Sequence, residues 1–212
     1  MAADIPEKVE EDQEYTWLQQ QMAAQAAQVE EEVEDEEMIP IALYDAAEQG
    51  DLEGIKNVFQ EYPSINISTA GPDGDTALHL ACLYGHNDVV EALIEKGADV
   101  NAINAEDGST TVHDAAAGGY LEICKKLLAR GNVEMLMSAV DEDGDIPLHH
   151  ASRGDHLEVV QYFISLNADP TKRNKEGRTP AQESESEEVK KFLQQIVADR
   201  VRAAMQASNQ SA

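Results

Sequence analysis

The side chains most able to do chemistry in this 212-residue protein are six histidines, two cysteines and an acidic run, Asp-Glu-Asp-Gly-Asp, at residues 141–145. The run suggests a calcium loop, because carboxylates are the ligands that calcium prefers. A calcium-binding hand needs Gly at its sixth position and Glu at its twelfth, and Ile146 and Ser152 stand there. We therefore interpret the run as a turn, as at Asp73-Gly74 and Asp107-Gly108, and expect no bound metal.

Five of the six histidines recur at two positions of a repeated pattern, three at the start of a predicted helix and two after a turn: His79, His113, His149, His86 and His156. Thr76 and Thr110 are placed to hydrogen-bond the first two of these rings. His150 has no such position, and two interpretations stay open, a ligand or proton switch and a packed or surface imidazole. Three or four convergent zinc ligands at short spacing are absent from the sequence.

No arrangement of residues typical of catalysis occurs in the sequence. It has no nucleophile elbow, no phosphate-binding glycine loop and no pair of metal-binding histidines at helical spacing. Cys82 and Cys124 lie in apolar runs without a predicted basic neighbour that would lower the pKa of either thiol. The sequence therefore predicts a protein that is not an enzyme and needs no cofactor, and two thiols fit a reducing compartment.

Charge limits the classes of partner. The 15 Lys and Arg residues face 42 Asp and Glu residues, a formal net charge of −27 at pH 7. Phosphate backbones and anionic membranes repel such a chain, so we expect neither direct nucleic-acid binding nor membrane insertion. No apolar run approaches the ~20 residues that cross a bilayer, and Met1 to Asp12 is acidic, unlike a secretion signal. We expect a monomer in the cytoplasm, the nucleus or both.

Composition divides the chain into three zones. Residues 1–38 contain thirteen acidic residues and a single basic one, Lys8, so this arm is expected to be largely disordered or marginally helical. A thin apolar stripe from Tyr15 to Val33 at helical spacing indicates a helix that folds fully only against a partner or the neighbouring domain. Residues 39–195 have an ordinary globular composition, and residues 196–212 are expected to pass from helix to a flexible tail.

Internal repetition decides the predicted architecture of the globular zone. The segment Thr76–Cys82 recurs 34 and 70 residues later, and degenerate copies begin at Ile41 and Thr179. Each copy opens a short apolar helix, which a turn joins to a longer amphipathic helix. Neither helix buries its apolar surface within one copy, so neighbouring copies must stack. The predicted units are residues 39–70, 71–104, 105–140 and 141–174, with a C-terminal cap at 175–195.

These units resemble ankyrin repeats. The resemblance rests on residues 73–81 (Asp-Gly-Asp-Thr-Ala-Leu-His-Leu-Ala), Gly85-His86, Val89-Val90 and the Gly-Ala-Asp-Val-Asn-Ala loop at 97–102. It implies an all-α solenoid of stacked helix-turn-helix units with short hairpin fingers. Asp155 replaces the glycine between the helices of the fourth unit, so either Asp adopts a left-handed backbone or the turn shifts by one residue. Two extra residues near Met135 mark a local irregularity.

The resemblance also implies where a partner binds, because ankyrin repeats contact partners through finger tips and the exposed ends of the first helices. The corresponding positions are Glu48, Gln49, Asp73, Asp75, Leu83, Tyr84, Glu106, Asp107, Ser109, Ala117, Glu142, Asp143, Asp145 and Arg153. Most are acidic, which favours a partner with a basic segment. Tyr84 beside Leu83 is either the apolar anchor of that interface or a cover for the underlying helix.

Three functions are consistent with these features. The first is a non-catalytic adaptor or scaffold that binds a basic protein on the acidic concave face. The second is a chaperone-like protein whose acidic arm shields basic clients, and the third is a substrate-recruiting or regulatory subunit of a larger complex. Leu93 followed by Asp99-Val100-Asn101-Ala102 also resembles the sequence that asparaginyl hydroxylases accept, which makes Asn101 a candidate modification site unless Asn merely suits the loop.

Overall fold

The computed structural model describes residues 41–210, and the acidic arm with its predicted helix lies outside this range. The described residues from 42 onward form one compact unit. The described range contains eleven α-helices and, as its β-structure, an isolated antiparallel bridge between Ile103 and Thr110. The helices are α1 (41–49), α2 (Leu52–Glu61), α3 (Ala77–Leu83), α4 (Asn87–Glu95), α5 (Thr111–Ala117), α6 (Leu121–Arg130), α7 (Val133–Ser138), α8 (Pro147–Arg153), α9 (Leu157–Ser165), α10 (Pro180–Glu183) and α11 (Glu187–Gln210).

The helices form successive pairs that stack in two layers. In the first layer α3 packs on α5, α5 on α8 and α8 on α10; in the second α2, α4, α6, α9 and α11 follow one another in the same way. We number the pairs as units one (α1, α2), two (α3, α4), three (α5, α6), four (α8, α9) and five (α10, α11). This arrangement confirms the predicted all-α solenoid of stacked helix-turn-helix units.

Small and branched side chains make the core that joins the units. Ala81, Ala115 and Ala151 are fully buried in the first layer, where the absence of a longer side chain lets neighbouring helices approach closely. Large residues fill the second layer at one position per unit, where Leu93, Leu127, Phe163 and Leu193 are fully buried. The two helices of a unit pack on each other, and each unit completes the burial of its apolar face against its neighbours.

A side chain three residues into each first-layer helix caps the start of that helix. Nδ1 of His79 and Nδ1 of His113 accept the backbone N–H of Thr76 and Thr110, at 3.2 Å and 3.0 Å. In unit four Ile146 replaces the threonine, but Nδ1 of His149 still accepts the N–H of Ile146 at 3.1 Å. The structural role predicted for these three histidines is therefore confirmed, and it does not depend on the threonine hydroxyl.

The turn between the two helices of a unit needs a left-handed backbone. Gly85 and Gly119 supply it with φ values of 80° and 75°, and Asp155 adopts it with φ of 57°. Of the two alternatives for unit four, the left-handed aspartate is therefore correct. Its carboxylate accepts the Ser184 hydroxyl at 2.5 Å and the N–H of Ser186 at 2.9 Å. These bonds offset the backbone strain and join unit four to unit five.

Two segments depart from the regular repeat. The irregularity near Met135 is the short helix α7, which Asn132 caps and which buries Leu136. The boundary expected near residue 195 falls inside α11, which continues to Gln210 without a break. Fraying of the last residues therefore stays a prediction. Within residues 41–210, no helix has both the length and the apolarity to cross a membrane.

Candidate functional site

The fingers are tight turns that project from the stack between successive units. Their ends are closed by backbone hydrogen bonds from Gly71 to Asp75 (2.7 Å), Asn104 to Ser109 (2.8 Å), Asp141 to Asp145 (3.1 Å) and Asn174 to Arg178 (3.0 Å). Neighbouring tips also bond to each other, because Glu142 N–H donates to the Asp107 carbonyl at 2.5 Å and Lys175 N–H to the Asp143 carbonyl at 2.8 Å. Backbone hydrogen bonds therefore join neighbouring finger tips, from which the side chains project.

Most of the positions expected at an interface lie on the surface. Among the finger residues, the side chains of Asp73, Glu106, Glu142 and Asp143 are exposed, and those of Asp75 and Asp107 are half-buried. At the end of α3, Leu83 is 39% exposed and Tyr84 is 47% exposed. Together these residues form what we call the finger surface. This surface combines carboxylates with one apolar patch, which Leu83 and Tyr84 form at the end of α3.

The structure corrects two predicted interface positions, because Ser109 and Asp145 are buried. Asp145 is 0% exposed and takes part in a network inside the junction between units four and five. Arg153 donates to the Asp145 carboxylate and, through Nε, to Glu183 Oε2 at 3.2 Å. Asn174 Nδ2 donates to Asp145 Oδ1 and Glu183 Oε1, both at 2.7 Å. Asp145 thus stabilises the stack and is not available at the surface.

The junction between units two and three has a related arrangement with a different charge balance. Asn104 Nδ2 donates to Asp75 Oδ1 at 2.8 Å, as Asn174 does to Asp145. Asp114 on α5 occupies the place of Glu183 on α10, four residues after the residue that caps the helix. The Oδ2 atom of Asp114 is buried and has no hydrogen-bond partner among residues 41–210. Burial, and then the charges of Asp75 and Asp107, raise the pKa of Asp114 well above its usual value.

Sequence reasoning missed Asp114, although it left a signal. The position holds Leu80 in unit two but His150 in unit four and Glu183 in unit five, so a polar residue recurs there along the stack. Without coordinates this exchange looks like a solvated surface change. The structure shows instead that one carboxylate oxygen is buried and that the charges of Asp75 and Asp107 act on it, which gives the residue its unusual electrostatics.

His150 forms a pair with the start of its own finger. Its Nε2 lies 2.7 Å from Asp141 Oδ2, and its ring stands edge-on to His113 with the centroids 5.3 Å apart. Burial alone would raise the pKa of Asp141, but hydrogen bonds from His150 and the backbone lower it to about 2. Asp141, Asp145 and His150 place ligand atoms within 4.8 Å of one another. Each already has a protein partner, which favours the interpretation of His150 as a packed imidazole.

Two family models cover this part of the chain. One for ankyrin repeats in three copies matches residues 43–135, and one for ankyrin repeats in many copies matches residues 112–164. The chain belongs to the ankyrin repeat family. Ankyrin repeats are protein–protein interaction modules and are generally non-catalytic.

Known ankyrin proteins share this region at moderate identity. The chain is 31% identical over 88 residues to the Notch-regulated ankyrin repeat-containing protein of Homo sapiens, which covers 41% of this chain and 76% of that protein. It is 36% identical over 74 residues to SMC5-SMC6 complex localization factor protein 1 of Homo sapiens, 35% of this chain and 7% of that one. For the tyrosine-protein kinase HTK16 of Hydra vulgaris, identity is 29% over 139 residues, 65% of this chain and 18% of the kinase. Matches to the two larger proteins thus span under a fifth of their length.

The cysteines of the ankyrin stack are packed in its core. Cys82 and Cys124 are fully buried free thiols. Burial raises the pKa of the Cys124 thiol to about 12, and burial followed by the charge of Asp114 raises the pKa of Cys82. Neither thiol supplies a thiolate at neutral pH, so both act as small apolar side chains.

Asn101 links the loops that follow units two and three. Its N–H donates to Asp99 Oδ1 at 2.9 Å, and its Oδ1 accepts the N–H of Asn132 at 2.7 Å. This geometry gives Asn a structural reason to occupy the loop. Hydroxylation at Asn101 stays a prediction.

Proposed function

We propose that this ankyrin protein is a non-catalytic adaptor that binds a basic segment of a protein partner on the finger surface. The observation that carries the proposal is a set of carboxylates on three successive fingers that have no ion pair within residues 41–210: Asp73, Asp75, Glu106, Asp107, Glu142 and Asp143. Some acidic side chains elsewhere in the stack do have basic partners, as Glu91 has Lys126 at 2.8 Å, and the unpaired acids outside the fingers serve as the control below.

Electrostatics explains how such a surface selects its partner. The net charge of −27 repels acidic proteins and attracts basic ones before contact, and the exposed tips concentrate that attraction on one side of the stack. Association should therefore be fast at low salt and slow down as salt screens the charges. Leu83 and Tyr84 supply the apolar contact that a purely ionic interface lacks.

The test begins with partners that proximity labelling identifies in the native cell. Five tip residues are neutralised together in Asp73→Asn, Glu106→Gln, Asp107→Asn, Glu142→Gln and Asp143→Asn. The matched control removes five exposed acids elsewhere: Glu61, Glu95, Glu134, Glu158 and Glu188. We expect the first variant to lose direct binding to purified partners and the control to keep it. Equal binding by both variants would refute an acidic interface.

The chaperone-like alternative assigns binding to the arm. Deleting residues 1–38 separates the two functions, because the adaptor keeps its partner and the chaperone-like protein loses it. A deletion that abolishes binding, together with tip neutralisation that does not, would replace the proposal with this alternative. A recruiting subunit of a larger complex would use the same finger surface. A cytoplasmic or nuclear location is part of the proposal, and labelling reports it directly.

A further inference from the structure

Equivalent positions at successive junctions of the stack differ in one respect, the presence of a basic residue. We call the junction between units two and three junction A, and the junction between units four and five junction B. Each contains an Asp at the end of a finger, an acidic residue on the next first-layer helix and an Asn that bonds the Asp. The two sets are Asp75, Asp114 and Asn104 at junction A, and Asp145, Glu183 and Asn174 at junction B.

At junction B the last residue of α8 neutralises both carboxylates. Arg153 contacts Asp145 and Glu183, and Arg178 Nε adds an ion pair with Glu183 Oε1 at 3.1 Å. The guanidinium group is suited to this bridge because it directs several N–H donors from one plane. Asp145 and Glu183 are therefore buried with their charges compensated.

At junction A the last residue of α3 is Leu83, and Ser109 stands where Arg178 stands at junction B. Both basic groups are thus missing, while the two carboxyl groups remain. Within residues 41–210, neither Asp75 nor Asp114 forms an ion pair, and Asp114 Oδ2 is buried without a hydrogen-bond partner. A buried carboxylate oxygen without a donor is costly, and a cationic donor would remove that cost.

The intervening junction, between units three and four, shows no such deficit. Ser109 replaces the finger Asp and Ala117 ends the first helix. There His150 takes the place of Asp114 and pairs with Asp141 at 2.7 Å. Of the three junctions, A alone holds two carboxyl groups with no basic partner among the described residues.

We propose that junction A binds an arginine side chain of the partner protein, with its guanidinium group between Asp75 and Asp114 as that of Arg153 lies between Asp145 and Glu183. The inference rests on the proposed function and specifies its partner. Leu83 ends α3 as Arg153 ends α8, and the exposed faces of Leu83 and Tyr84 would pack against the aliphatic part of the arginine. Asp107 adds a third negative charge close to Asp114.

A partner chain is the appropriate source of this arginine. The first 40 residues of the protein contain only Lys8 as a basic residue, so that segment has no arginine to offer. Arginine is favoured over lysine because the planar guanidinium group presents several N–H donors in different directions and can reach two separate carboxylates. A lysine ammonium is a point charge. Arg153 at junction B shows that the repeat geometry accommodates such a bridge.

The first experiment supplies the arginine from within the chain. Leu83→Arg places it at the position of Arg153, and the control Gln161→Arg adds the same charge at an exposed position of α9, outside the finger surface. We expect Leu83→Arg to raise Tm by about 2–4 °C and to lower the pH at which Asp114 titrates in an NMR experiment. Gln161→Arg should do neither. An unchanged Asp114 titration in a folded Leu83→Arg protein would contradict the proposed bridge.

The second experiment measures recognition of a probe by the full chain. The probe is a short acetylated peptide, Gly-Gly-Arg-Gly-Gly-amide, compared with versions in which citrulline or lysine replaces arginine. We expect shift changes at Asp75, Leu83 and Asp114 with arginine and at least a tenfold weaker effect with citrulline. Binding should be lost in Asp114→Asn and Leu83→Arg but not in Gln161→Arg. Equal binding of citrulline, or of lysine, would overturn the assignment of arginine.

These outcomes are distinct from failure of the adaptor function. If the partners found by labelling depend on the tip carboxylates but bind Asp114→Asn normally, the finger surface is correct and the arginine site is wrong. If neutralising the tip carboxylates does not change partner binding, the proposed adaptor function is wrong, independently of how the arginine peptide binds.

Discussion

His113 provides the sharpest test of how this stack responds to pH. The ring is buried, its Nδ1 accepts the Thr110 N–H at 3.0 Å, and its Nε2 donates to the Asp145 carbonyl at 3.2 Å. Both bonds require the neutral ring with its proton on Nε2, because a proton on Nδ1 removes the acceptor for Thr110. Burial, and next the charge of nearby His150, lowers the pKa of His113 from 6.5 to about 4.

The lowered pKa sets the direction and size of the effect. Between pH 6.5 and 4 the unfolded chain takes up a proton at His113 that the folded protein does not, so stability is lost as the pH falls through this window. A difference of about 2.5 between the two pKa values, at about 1.36 kcal/mol per pKa unit, corresponds to about 3 kcal/mol. Above pH 6.5 this residue contributes no pH dependence.

The perturbation is His113→Gln, because Gln182 already performs the same capping role in unit five, where its Oε1 accepts the Thr179 N–H at 2.9 Å. Urea unfolding of both proteins is measured from pH 7.5 to pH 4. We expect the stability difference between wild type and variant to shift by about 3 kcal/mol in favour of the variant at low pH. A difference that stays constant over this range would refute the reasoning, as would an NMR titration of His113 in the folded protein near pH 6.5.

Two further predictions concern the junction between units four and five. Arg153→Met removes the bridge between Asp145 and Glu183 and leaves buried charge, so we expect a loss of about 3 kcal/mol in urea unfolding; Arg153→Lys should recover part of it. An unchanged stability for Arg153→Met would show that Arg178 and Asn174 suffice. Asp155→Ala keeps the left-handed backbone but loses the acceptor for Ser184 and Ser186, and should cost about 2 kcal/mol, whereas Asp155→Asn should cost less.

The architecture was accessible from the sequence because it is a local property repeated along the chain. The spacing of Thr76, His79 and Ala81 and its recurrence after 34 residues specify helix starts, buried faces and stacking, and each depends only on residues of the same or the next unit. The structural role of His79, His113 and His149 followed for the same reason. So did the exposure of Leu83 and Tyr84, which lie at the end of a short helix.

The candidate site was less accessible because its chemistry depends on contacts across units. Asp145 was expected at the interface from its place beside a finger tip, yet Asn174 and Arg153, 29 and 8 residues away, hold it inside the stack. Its counterpart Asp75 keeps part of its surface exposed. The residues next to Asp75 and Asp145 do not distinguish them. The difference lies in the residue that ends the first helix of each unit, which is Leu83 in unit two and Arg153 in unit four.

What the sequence determined by itself is therefore the repeat, the helices and the overall negative charge, since these follow from periodicity and composition. What only the tertiary structure decided is which of those charges are neutralised. An ion pair such as Arg153 with Glu183 joins residues 30 positions apart, whereas one buried oxygen of Asp114 has no partner in the described part of the chain. Burial and pairing are properties of three-dimensional neighbours, and the same carboxyl group is a structural bond in one place and a candidate binding site in another.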